Sequence, residues 1–166
     1  MQFSPDFFEP PPLSPDLEWM LQSNQVNDSD LAVQLAQDYA SRLQILALFV
    51  LGDEDWARRA TAAALQHIVR QRSQFWGQVP LRIWVYTQAV SVLQRQMTLG
   101  WRLSRWMDRR KWKPPSRGKL SNLRLALLQL EPRLILAVSL VYGHEFPETE
   151  ASQVLGLSEQ EFLDTL

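Results

Sequence analysis

The chain has 166 residues, 46% of them apolar, with seven Trp, seven Phe and no cysteine. That is enough apolar material for one ordinary domain or two small ones, and it excludes a disulfide framework, a thiolate metal site and a cysteine nucleophile. The net charge of −1 conceals segregation: residues 1–55 carry ten acids and one base, residues 56–133 sixteen bases and two acids, and residues 134–166 six acids and no base.

A cationic middle between anionic ends is the first place to look for a polyanion partner, because Lys and Arg make most phosphate contacts. The acidic ends are also numerous enough to fold onto that middle and screen it, so that DNA or a protein would compete with them. The acidic, Pro-rich start has the wrong character for a signal peptide. No apolar run reaches the length of a membrane span, and a reducing, cytoplasmic setting is expected.

In chain order, residues 1–27 contain Pro5, Pro10, Pro11, Pro12 and Pro15 among acids and read as a flexible arm. Phe7, Phe8, Leu17, Trp19 and Met20 are the residues there that could dock. Asn27-Asp28-Ser29-Asp30 offers helix caps, and Leu31, Leu35, Tyr39, Leu43, Leu46 and Val50 follow at helical spacing, to about Leu51. Gly52-Asp53 stops that helix and caps the next, from about Glu54 to Arg72, with Trp56, Ala60, Ala64 and Ile68 on one stripe. Residues 73–79 are a loop, and Pro80 suits the first turn of a third helix with Leu81, Trp84, Val85 and Val92 on its apolar face.

Residues 95–119 hold nine bases and one acid, interleaved with Trp101, Trp106 and Trp112, and Pro114-Pro115-Ser116-Arg117-Gly118 breaks any helix there. Ser121 caps a further helix to about Leu130, and Pro132 opens another that ends near Gly143. Pro147 opens a short helix with Glu148 and Glu150 in its first turn. Leu155-Gly156-Leu157-Ser158 is a tight turn, and Ser158 with Glu161 forms a capping-box pattern for a last helix.

The predicted class is all-α: two small helical domains joined by a basic linker, the second a helix-turn-helix. The divisions fall at 1–27 (arm), 28–98 (first bundle), 99–120 (linker) and 121–166 (second domain, apparently shortened).

The short helix, glycine turn and capped helix at the C-terminus would set a second helix steeply enough to enter a major groove. The plainer alternative is an ordinary corner of a helical bundle. In the linker, cations would neutralise phosphates while indoles stack on unpaired bases. The alternative there is a solvated charged face with its Trp residues packed inward. An enzyme is not expected. His67 and His144 lack ligand spacing and read as helix-face and loop residues, Asp53-Glu54-Asp55 is explained by a helix start, and no phosphate loop or nucleophile motif is present. No cofactor or metal is called for.

Residues 39–97 carry Leu51-Gly52-Asp53-Glu54-Asp55 and Ala57, then Phe75 and Gly77, then Leu81-Arg82-Ile83-Trp84-Val85-Tyr86 and Ala89. Residues 127–166 carry Leu130, Pro132, Arg133, Ala137, Leu140 and Tyr142, then Glu150 and Leu155-Gly156-Leu157-Ser158. Together these resemble the two conserved domains of RNA polymerase sigma factors of the extracytoplasmic-function type, over about three fifths of the chain. The resemblance implies a transcription-initiation regulator that binds the polymerase core, promoter DNA or both, and an inhibitory or regulatory protein partner.

With the charge pattern, it points to Arg82, Trp84, Tyr86, Arg95, Arg102, Arg105, Arg109, Arg110, Lys111 and Lys113 for DNA. For polymerase contact it points to Asp55, Arg58, Arg59 and Ala62. The departures from the family pattern are specific. Arg59 and Ala62 stand where an acid and a Gln are usual, Ser91 and Arg95 replace Asn and Asp, Ile135 replaces Arg, and Glu145 replaces the loop glycine. The last helix offers Glu159, Glu161 and Asp164 and no base, a charge pattern that phosphates repel. The second expectation is therefore a protein-interaction module that keeps the sigma scaffold without promoter reading.

Overall fold

The computed structural model describes residues 16–23, 25–106 and 130–166, and over 98–106 the backbone alone. The described residues form seven α-helices and no strand. They are α1 (Asp16–Gln22), α2 (Asp28–Leu51), α3 (Glu54–Arg70), α4 (Leu81–Trp106), α5 (Pro132–Val138), α6 (Glu148–Leu155) and α7 (Glu159–Leu163). A short 3₁₀ turn (Arg72–Gln74) follows α3, and a π turn (Ser139–Gly143) continues α5.

Helix α2 starts where Asn27 accepts the Ser29 N–H in its side-chain oxygen, 3.3 Å away. It stops at Gly52, whose φ of 70° is left-handed and whose N–H returns to the Leu48 carbonyl at 2.8 Å. Asp53 then accepts the Trp56 N–H at 2.9 Å and starts α3. Two residues thus end one helix and begin the next, and α2 and α3 pack as an antiparallel pair. Leu31, Leu35, Tyr39, Leu43, Leu46 and Val50 line the buried side of α2, as the periodicity predicts.

On α3 the buried stripe is Ala57, Ala60, Thr61, Ala64 and Ile68. Small side chains there let the two backbones approach closely. Trp56, placed on that stripe by the sequence pattern, is 44% exposed. It sits one position off the stripe, and a bulky indole between two closely packed helices would force them apart.

Two further expectations are corrected. Part of the supposed flexible arm is α1, whose Leu17 and Leu21 are buried in the core. Arg72 clasps the connection to α2, its Nη1 donating to the Val26 carbonyl at 2.9 Å and pairing with Asp28 at 2.8 Å. Helix α4 does not stop before the basic stretch but runs on to Trp106. Residues 1–15 and 107–129, with the rest of the arm, Lys111, Lys113 and the helix expected from Ser121, lie outside the described residues.

The C-terminal helices do not stand apart as a separate bundle. Helix α6 packs along α4, and α5 with its π turn packs against α2, so Ile135, Leu136, Leu140, Phe146, Val154 and Phe162 join the same hydrophobic core as α2–α4. The contact between α5–α7 and the α2–α4 face is a seam.

Candidate polymerase and nucleic-acid interface

The face of α3 opposite its alanine stripe carries Asp55, Arg58, Arg59 and Ala62, all exposed. Helical spacing places them there, since they fall between the positions that pack on α2. Arg58 pairs with Glu54 at 3.4 Å and with Asp55 at 3.5 Å, contacts in open solvent that add little stability. The expected polymerase-contact residues thus share one accessible surface.

A second surface is basic. Arg70 ends α3 and Arg95 lies across from it on α4, both exposed, with His67 between helices at the same level. Burial and then the Arg95 charge hold the His67 imidazole below its ordinary pKa, against a hydrogen bond with Gln88. Helix α4 then carries its backbone on through positions 102 and 105, two and three turns beyond Arg95. Arg109, Arg110, Lys111 and Lys113 fall outside the described residues.

The remaining three residues expected at DNA are elsewhere. Trp84 is 7% exposed and packs its ring against Phe75, with centroids 5.1 Å apart. Tyr86 is 2% exposed, edge-on to Tyr39 at 6.4 Å and to Phe146 at 4.8 Å. Arg82 is half-buried, its guanidinium 3.8 Å from the Phe146 ring centroid and its Nη2 donating to the His144 carbonyl. In this arrangement the seam covers Arg82 and Tyr86 while Trp84 is buried with Phe75, and neither aromatic ring is available to stack on a base. For Arg82 and Tyr86 local pattern could not reveal this, because the covering residues lie about sixty positions later in the chain.

His144, read from sequence as a loop residue, is the polar centre of the seam. Its Nδ1 lies 3.0 Å from the Tyr86 hydroxyl. The π turn brings it there: the Phe146 N–H reaches back to the Leu140 carbonyl at 3.0 Å, and Glu145 takes a left-handed φ of 53° to complete the bend. A φ of that sign is one that glycine adopts without strain. Burial, then Arg82 and Arg42, lower the His144 pKa to about 4. Burial pushes the Tyr86 hydroxyl up to about 12 and the Tyr39 hydroxyl higher still. The Tyr39 hydroxyl, the Arg82 Nε and the His144 Nε2 are buried without a hydrogen-bond partner among the described residues.

The last corner is acidic. Helix α6 ends in a Schellman motif, with Gly156 at φ 66° and the Leu157 N–H bonded to the Ser152 carbonyl at 3.0 Å. The Ser158–Glu161 capping box is present in both directions, as the sequence predicts. Hydrogen bonds from the Ser158 side chain and backbone lower the Glu161 pKa. Phe162 anchors α7 in the core while Glu159, Glu161 and Asp164 face solvent. Between this turn and α4 lies a cavity of about 140 Å³ lined by Gln94, Arg133, Leu155, Gly156 and Leu157.

Among the described residues no group of three His, Asp or Glu side chains is placed to hold a metal ion, and no helix is long and apolar enough to cross a membrane. No protein-family model and no curated protein matches the sequence. Among solved structures, the chain is similar to the sigma factor RpoE from Bartonella quintana, in a co-crystal with the anti-sigma factor NepR. The TM-score is 0.65 at 18% identity, covering 83% of this chain and 90% of that one. At this identity the likeness establishes the fold alone, an all-α, sigma-factor-like scaffold.

Proposed function

We propose that the protein is a sigma-factor-like regulator of transcription initiation that acts in the cytoplasm and is not an enzyme. The observation that carries this reading is the sigma-factor-like fold together with an accessible α3 face bearing Asp55, Arg58, Arg59 and Ala62. That face would meet the polymerase core. Arg70 and Arg95, with the bases that follow along and beyond α4, would meet promoter phosphates. Because Arg59 and Ala62 replace an acid and an amide, the polymerase surface that fits this chain must tolerate a guanidinium.

The test is capture of core RNA polymerase by the full chain from its source cell, and by an Ala62→Arg variant. Retention by the wild type and at least tenfold loss in the variant supports the reading. No retention, or equal retention by both, rejects it. For the DNA part, affinity for a promoter-like fragment should fall steeply between 50 and 200 mM salt, on the order of 10³-fold if about six phosphates are contacted. Salt-insensitive or absent binding removes the electrostatic mechanism.

A second reading is favoured by α7, whose exposed Glu159, Glu161 and Asp164 would be repelled by a phosphate backbone. In it the scaffold docks a regulatory protein, the acidic corner serving as the contact, and promoter reading is lost. The similar solved sigma factor is bound to an anti-sigma factor, which makes a partner of that kind the natural candidate. Recovery of one non-polymerase partner without DNA enrichment would favour this reading over the first.

A further inference from the structure

Two hydrogen bonds cross the seam from α4 to the same residue. The Arg82 guanidinium donates to the His144 backbone carbonyl, and the Tyr86 hydroxyl meets the His144 Nδ1 at 3.0 Å. Tyr86 carries its proton over the whole neutral range, and its hydroxyl can donate to a bare Nδ1 or accept from a protonated one, so either neutral tautomer of the ring serves this bond. The ring is neutral in the closed seam, and its Nε2 is buried without a hydrogen-bond partner among the described residues.

The groups that face the ring would oppose a charge on it. From α4 they are Arg82 and Tyr86, and from α2 Arg42, with Tyr39 behind Tyr86. The Asp38 carboxylate of α2 bears on Tyr39, while the two charges that bear on His144 are both cationic. Glu145, next in the chain, is exposed. An imidazolium would place a third positive charge beside two guanidiniums, with little water to screen it, and would make Nδ1 a donor to the Tyr86 hydroxyl.

We propose that His144 is a proton-sensitive pin: protonation of its ring loosens α5–α7 from the α2–α4 face and uncovers Arg82, Tyr86 and Tyr39. Detachment costs the seam its apolar contacts, but it also opens to solvent the Tyr39 hydroxyl, the Arg82 Nε and the His144 Nε2, which have no hydrogen-bond partner among the described residues. The described residues thus leave polar atoms at the centre of the seam unpaired, and a single proton shifts its balance.

The sign follows from proton linkage. The closed seam binds the proton more weakly than the open one, where the ring regains its ordinary value of 6.5. Closure is fully favoured above that value and is lost progressively as pH falls toward about 4. Between pH 8 and pH 5 the ratio of open to closed rises about 30-fold. The pin itself does not rest on the proposed function; only the use of the uncovered residues as nucleic-acid contacts does.

The chain contains no cysteine, so one introduced thiol reports its own burial. Ala151→Cys places a thiol on α6, which packs on α4, and Ala60→Cys places one in the α2–α3 core; both alanines are fully buried. Labelling rates are taken relative to Gln153→Cys, an exposed position on α6, which cancels the intrinsic pH dependence of the thiol. Protection at Ala151→Cys should fall about 30-fold between pH 8 and pH 5 while protection at Ala60→Cys changes far less. Adding His144→Gln, which does not titrate, should abolish the fall. Protection lost equally at both sites, unchanged at both, or still lost in the His144→Gln background overturns the proposal. Because the two wild-type-background sites decide the matter between themselves, a misfolded His144→Gln variant does not rescue it. DNA or polymerase binding is not measured, so a failure here leaves the functional reading where it stands.

Discussion

Replacing Phe146 by alanine removes the aromatic centre of the seam. The side chain is 2% exposed, its ring centroid lies 4.8 Å from that of Tyr86, and the Arg82 guanidinium sits 3.8 Å above its face. Truncating a buried phenylalanine costs about 3–5 kcal/mol, which already includes part of its ring contacts. The edge-on pair with Tyr86 and the Arg82 contact, each on the order of 0.5–1.5 kcal/mol, place this site in the upper half of that range. Collapse of α5–α7 into the gap would return some of the loss. For a chain of this size about 2–4 °C of Tm corresponds to 1 kcal/mol, so the melting temperature should drop by roughly 6–20 °C. Circular dichroism at pH 7.5 reads this directly. The control is Tyr142→Ala, four residues earlier and 77% exposed, which should stay within about 0.5 kcal/mol of the wild type. Equal shifts for the two variants would mean that the C-terminal helices are not seated on α4 as described, and the account of the seam would fail with them.

Glu145→Gly relieves a left-handed φ of 53°, a conformation costing a non-glycine residue about 1–2 kcal/mol. Glycine's greater freedom in the unfolded chain returns about 0.4–1 kcal/mol, so urea unfolding should show a net gain of up to about 1 kcal/mol and no loss. Tyr39→Phe deletes a hydroxyl buried without a partner among the described residues; equilibrium unfolding at neutral pH should be unchanged or stabilised by about 1 kcal/mol. The same variant should also soften alkaline unfolding. The folded pKa of Tyr39 is raised, so its contribution is complete below its ordinary value of 10.0 and is lost as pH climbs above it. A titration of stability from pH 9 to 11.5 that is equally steep in wild type and variant would contradict this. Ser158→Ala removes the hydroxyl that accepts the Glu161 N–H, leaving the backbone N–H at 158 on the Glu161 carboxylate, and should cost about 1 kcal/mol in thermal or urea unfolding.

The helical scaffold was legible in the sequence because each element carries its own boundary. Asn27, Gly52-Asp53, Pro132, Gly156 and Ser158 each set a terminus within a residue or two, and the α2 stripe from Leu31 to Val50 is buried throughout. Trp56 was misplaced because periodicity ranks residues by hydrophobicity, whereas the close α2–α3 contact selects for smallness at Ala57, Ala60 and Ala64. The exposed α3 face was recoverable from the same periodicity. The fate of Arg82, Trp84 and Tyr86 was not. A cation and two aromatics on one helix have the composition of a ligand surface, and only the arrival of His144 and Phe146 from the far end of the chain makes Arg82 and Tyr86 interior. A mixed polar–aromatic face reads alike whether its partner is a nucleic acid or a distant helix of the same molecule.

The π turn at Ser139–Gly143 inserts one residue into what would otherwise be a continuous α-helix. Removing a single residue there would let the regular ladder resume, but everything after it would be rotated by about 100° and drawn back by about 1.5 Å. Leu140 and the residues before it would keep their places, while the aromatic and imidazole side chains that follow would swing off the groove between α2 and α4. One extra amino acid thus acts as a phase adjuster. It brings a helix set by its own apolar stripe into step with a docking site that a different stretch of chain has built.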